Sequence, residues 1–166
     1  MICLDTHVLI WRLGKYARAT PGQEEMVDRA ERYIEYLQRE KIEIMIPTPV
    51  LAEYLVGATA QERQEAEVFD IATEVCPFDV PAAVFAASLF RETHRIEEMV
   101  EEHNIAKDCI KVDIMIAAIA VTRKAQKLIT EDVKLFKTLV KNQIPVERLP
   151  DRPRPGRPRS GLSLFD

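Results

Sequence analysis

Four acidic residues stand in unusual places in this chain: Asp5 closes the opening run "MICLD" and Asp132 follows "KLITE", both just after strand-like runs, while Glu53 lies inside the apolar "VLAEYLVG" and Asp113 inside "KVDIMIAAIAV". If Glu53 and Asp113 sit on helices, their neighbours three and four positions away are Pro49, Val50, Val56 and Gly57 for the first. For the second they are Cys109, Ile110, Ile116 and Ala117. None carries a positive charge. A buried carboxylate without a partner is costly, so each predicts a cation, a set of hydrogen bonds or a retained proton.

Should the four converge, each pair of charges about 4 Å apart repels by roughly 4 kcal/mol at an effective dielectric near 20. A divalent cation offsets that repulsion. Oxygen ligands without His or Cys select Mg²⁺ or Mn²⁺ over zinc. Such ions support phosphoryl transfer or phosphodiester hydrolysis, activating water and steadying the leaving oxygen. Plainer roles stand beside this one. Asp5 and Asp132 could cap helices that follow strands, and Asp113 could cap its own helix. Glu53, a full turn inside its helix, could instead pair with an Arg or Lys elsewhere in the chain.

The elements that would carry these acids alternate between strand and helix. Residues 1–5 form a short apolar strand, followed by a helix over about 6–13 that ends at Gly14. Met26, Ala30, Tyr33, Ile34 and Leu37 recur at helical spacing within 23–40 and predict an amphipathic helix. "IEIMIP" (42–47) is a second strand, and the next helix opens with Thr48 as N-cap and Pro49 at the first helical position. Another helix is expected at 60–72, a third strand at 73–78 and a long helical stretch at 81–103 with an acidic second half. The segment 111–121 is apolar on every side, which predicts a helix buried in the middle of the domain. "QKLIT" is a fourth strand, "DVKLFKTLVKN" a helix and "VERL" a weak fifth strand.

This alternation predicts an α/β fold with a parallel sheet covered on both faces. Ligands of such sheets bind beyond the carboxyl ends of the strands, where Asp5 and Asp132 stand. The body at 1–149 reads as one domain. Residues 150–166 hold prolines at 150, 153, 155 and 158, with four Arg against two Asp over 151–166, and read as a flexible Pro/Arg-rich tail.

A chain of 166 residues can bury a core without disulfides. Its net charge of −4 excludes a global basic field, so nucleic-acid affinity would need a local patch. Three widely spaced cysteines, Cys3, Cys76 and Cys109, read as reduced thiols. No run approaches 18 apolar residues and no basic leader precedes the first strand, which predicts a cytoplasmic protein without membrane association.

Taken in order, "MICLDTHVLIW", "PTPVLAEYLVG", "DIMIAAIAV" and "LITEDVKLF" resemble the PIN domains, most closely the VapC-type toxin ribonucleases of type II toxin-antitoxin pairs. The resemblance covers about residues 1–149. It implies a three-layer α/β/α sandwich with a central parallel sheet and an acidic pocket for Mg²⁺ or Mn²⁺. It assigns Asp5, Glu53 and Asp113 to the acidic core, Asp132 to a more variable fourth position, and Thr6 and Thr130 to supporting hydroxyls. It also implies an RNA substrate, an antitoxin partner and a homodimer. His7 departs from the Asn or Ser that relatives often carry, and the acidic stretch and the tail extend a minimal PIN domain.

Other readings stay open on the sequence. The basic set Arg123, Lys124 and Lys127, and Lys134, Lys137 and Lys141 beyond it, could line an RNA path or form a solvated helix face. A PIN-like binding module without nuclease activity, or an RNA-processing nuclease that is not a toxin, would share the same motifs. A haloacid-dehalogenase-like phosphatase needs a second Asp where His7 stands, and a receiver domain needs an acidic pair that the chain lacks.

Overall fold

The computed structural model describes residues 1–14, 21–60, 73–91 and 107–151. Five strands among the described residues, β1 (Ile2–Leu4), β2 (Ile44–Pro47), β3 (Thr73–Cys76), β4 (Lys127–Ile129) and β5 (Val146–Glu147), form one sheet in the order β3-β2-β1-β4-β5. Every neighbouring pair is parallel. Among the described residues six helices flank it in the predicted α/β/α arrangement: α1 (Thr6–Leu9), α2 (Glu24–Arg39), α3 (Thr48–Val56), α4 (Val80–Phe90), α5 (Lys107–Thr122) and α6 (Val133–Leu139). Most of the helix expected at 60–72, the acidic half of the 81–103 stretch and the tail beyond Asp151 lie outside the described residues.

The central strand is β1, flanked by Ile44 and Lys127 on either side of Ile2. Ile2, Cys3 and Leu4 are buried, as the short apolar run requires. The chain order reverses between β1 and β4. In a parallel sheet that switch point opens a crevice beyond the strand ends, and Asp5 and Thr130 are the first residues past those two strands.

α5 packs against α3, α4, α6 and β2, which explains why its sequence has no polar face. Ile110, Ile114, Ile116, Ala117, Ala118, Ile119 and Ala120 are all buried. α2 buries Val27, Ala30, Tyr33, Ile34 and Leu37, and Met26 packs half-buried against the same core. Two local expectations are corrected. α1 runs only to Leu9 before a π-type turn carries the chain on to Gly14. Pro47, not Thr48, is the N-cap of α3, and the Thr48 hydroxyl instead accepts the Phe78 amide at 3.2 Å. That bond ties the start of α3 to the loop leaving β3. No helix among the described residues is long and apolar enough to cross a membrane.

Candidate active site

Asp5 is set by the sheet. Its amide donates to the Ile129 carbonyl at 3.1 Å, which extends the β1–β4 pairing one residue past the strand. The residue is only 5% exposed, yet both carboxylate oxygens are satisfied. Oδ1 accepts the Thr6 amide at 2.7 Å and Oδ2 accepts the Thr130 hydroxyl at 2.7 Å. The capping role and the site role therefore coincide in Asp5, because the cap uses one oxygen and faces the switch-point crevice.

Thr130 is fully buried and serves two acids at once. While donating to Asp5, its oxygen accepts the Asp132 amide at 3.1 Å. This turn fixes Asp132 at the start of α6, where its side chain makes no capping bond. Thr6 acts similarly on the other side, donating its hydroxyl to Glu53 Oε2. Two threonines thus tie together three of the four acidic residues, Asp5 and Glu53 through their carboxylates and Asp132 through its backbone amide.

Glu53 itself corrects an expectation: it is exposed on α3, not buried. Exposure removes the cost that argued for an Arg or Lys partner, and its bond goes to Thr6. Asp113 lies well inside α5, which starts at Lys107, so capping is no longer available to it.

Asp5, Thr6, His7, Ile10, Glu53, Asp113, Glu131, Asp132 and Phe136 line one cleft of about 610 Å³. All four predicted acids meet there, with both predicted threonines at or directly beneath its floor. Electrostatics report the same convergence. Burial first, then the charges of Asp5, Glu53 and Asp132, push the Asp113 carboxyl up to about 7. Burial also raises Asp5 above the usual carboxylate range, opposed by the hydrogen bonds from Thr130 and Thr6 and by His7, with Glu53 adding to the rise.

Glu131 was not singled out by the sequence reading. It lines the cleft, and its Oε1 is buried without a hydrogen-bond partner among the described residues, while Oε2 lies 3.9 Å from Arg148 Nε. Its only signal was adjacency to Asp132 in "TED". His7 is exposed at the cleft, with its ring centroid 5.8 Å from that of Trp11. The basic set is placed elsewhere: Arg123 bonds Asp79 at 2.7 Å, Lys127 bonds Glu147 at 2.7 Å, and Lys124 adopts φ 54° where α5 ends. None of the three lines the cleft.

The donor set suits a hard divalent cation: several carboxylates, one orphaned oxygen and an acid raised by burial and by its negative neighbours. Among the described residues no three His, Cys, Asp or Glu side chains already stand in a ligating group.

Residues 2–141 match the family described as PIN domain, and the chain belongs to that family. Its fold is similar to that of a solved chain of VapBC2 from Rickettsia felis bound to a DNA fragment from their promoter. That match has a TM-score of 0.58 and 22% identity, covering 90% of this chain and 100% of that one. A chain of DNA-bound VapBC from Salmonella typhimurium is similar at TM-score 0.56 and 20% identity, covering 90% of this chain and 98% of that one. No curated protein matches the sequence.

Proposed function

We propose that the protein is an endoribonuclease dependent on Mg²⁺ or Mn²⁺ and acts as the toxin of a toxin-antitoxin pair. The convergence of Asp5, Glu53, Asp113 and Asp132 in one cleft at the sheet's switch point carries this reading. Membership of the PIN-domain family supports the nuclease assignment. The fold similarity to VapBC chains supports a toxin with an antitoxin partner.

When bound, the cation would lower the pKa of a water and offset charge on the scissile phosphate and the leaving oxygen. Asp5, Glu53, Asp113 and Asp132 would hold it, with Glu131 as a further oxygen donor at the rim. Thr130 fixes the Asp5 and Asp132 positions relative to each other, and Thr6 aims Glu53 toward the same space. Asp113, with its carboxyl near 7, can release a proton to solvent on binding the cation at neutral pH.

Purified protein is incubated with a structured RNA in Mn²⁺, Mg²⁺ or EDTA, beside Asp5→Asn and Asp113→Asn. Cleavage that needs the metal and disappears in both variants supports the reading. Metal-dependent wild-type cleavage that both variants retain would place the chemistry outside this cleft. Folded wild-type protein that cleaves no RNA in any lane would favour a binding module.

A further inference from the structure

A second concavity, of about 330 Å³, lies at the far end of α6 and is lined by Lys137, Thr138, Lys141 and Asn142. It is separate from the acidic cleft, yet the same short helix joins them, because Asp132 and Phe136 line the cleft at its start. From Val133 to Leu139 the helix rises about 9 Å. A polynucleotide with one phosphate in the cleft would have a neighbouring phosphate within reach of this pocket.

The local geometry turns the donors outward. Lys141 and Asn142 take consecutive left-handed conformations, φ 51° and 57°, which fold the chain back after α6 and leave both side chains exposed. Lys134, Lys137 and Lys141 recur at three- and four-residue spacing, so they share one face of the helix and its extension. Leu135, Phe136, Leu139 and Val140 occupy the opposite, buried face. Lysines at a helix end also favour its last carbonyls. That effect alone does not account for a concavity lined by Lys137, Thr138, Lys141 and Asn142.

We infer that the Lys137/Thr138/Lys141/Asn142 pocket binds a backbone phosphate of the RNA, flanking the one in the acidic cleft. The inference rests on the ribonuclease reading and adds a substrate path to it. The acidic cleft repels an RNA backbone in the absence of cation, so affinity for the strand must be supplied outside it. This pocket is a lysine-lined recess on the helix that leads away from the cleft.

The test uses the full chain, a Lys137→Gln/Lys141→Gln double variant and, as a control on another basic surface, Lys127→Gln. Affinity for a short fluorescein-labelled single-stranded RNA is measured by anisotropy in Ca²⁺ over a range of salt, and cleavage is measured in Mn²⁺ over RNA concentrations from well below KM to saturation. Loss of one phosphate contact predicts that the double variant flattens the slope of log affinity against log salt by about 0.7. Its KM should rise roughly ten-fold with kcat within a factor of two, and Lys127→Gln should match the wild type.

An unchanged slope and KM in a wild type that does cleave RNA would overturn the pocket alone. A change confined to duplex DNA would overturn the RNA assignment in favour of another polyanion. A folded wild type without RNA cleavage or affinity would remove the ribonuclease reading and this ligand together.

Discussion

Thr130, at the end of β4, donates its hydroxyl to Asp5, at the end of β1, across 2.7 Å and 125 residues of sequence. The bond is buried and sits at the point where the sheet reverses strand order. It is also the joint between two acids, since the same oxygen receives the Asp132 amide. Thr130→Val keeps the shape and removes both interactions, leaving a buried carboxylate oxygen and an amide short of a partner. We expect a loss of about 1–3 kcal/mol in urea unfolding, with Thr130→Ser recovering at least half of it. A variant as stable as the wild type would show that water or a shifted backbone replaces the hydroxyl.

Asp113 predicts an inverted pH dependence for the cation-free protein. Its folded carboxyl is raised to about 7, above its unfolded value, so the folded state binds the proton more tightly. The stability linked to it is fully present below the ordinary carboxylate range and is lost as pH rises through about 7. Asp5 is shifted in the same direction and adds to the effect. In EDTA, Asp113→Asn should therefore unfold at higher urea than the wild type at pH 8, by roughly 1–3 kcal/mol after allowance for screening, and show little gain at pH 4. Equal stability of the two proteins at pH 8 would contradict a proton held by crowded carboxylates.

Arg123 is expected to matter for folding. It bonds Asp79 at 2.7 Å, and Asp79 caps α4 by accepting the Ala82 amide at 3.1 Å. Asp79→Ala loses the cap and the ion pair and should cost about 1–2 kcal/mol. Arg123→Gln, with both partners about one-third exposed, should cost less than about 1 kcal/mol and leave RNA affinity within two-fold. A large affinity loss in Arg123→Gln would restore it to the RNA surface.

Lys124 ends α5 in a left-handed conformation, with the Ala125 amide reaching back to the Ala120 carbonyl at 2.9 Å. Glycine ordinarily occupies such a position because it lacks the Cβ that crowds this backbone. Lys124→Gly should raise stability by up to about 1 kcal/mol in thermal unfolding without altering activity. A drop in stability would indicate that the lysine stem packs usefully against α5.

The acids were legible because each broke a pattern. Asp5 stopped an apolar strand, and Asp113 interrupted a helix that its packing against α3, α4 and α6 makes apolar all round. Glu53 was found for a partly mistaken reason. Apolar neighbours suggested burial, but a nine-residue helix of apolar composition also places some positions in the open, and Glu53 is one of them. The strand order was not readable, because local periodicity says which residues face a core and nothing about which strand lies beside which. Thr6 and Thr130 entered through the family resemblance; their hydroxyl bonds depend on contacts over 47 and 125 residues that no local pattern encodes. Glu131 was hidden by its neighbour, since one turn presents both acids to the same cleft.

The joint action of the four carboxylates is tested most directly by calorimetric titration of Mn²⁺ into cation-free wild type, Asp5→Asn and Asp113→Asn, each confirmed folded, at pH 6 and pH 8. Wild type should bind saturably and more tightly at pH 8, because the proton held by Asp113 must leave first, and each variant should bind at least ten-fold more weakly. Binding of equal strength in all three proteins would show that the cleft does not hold the cation through these carboxylates.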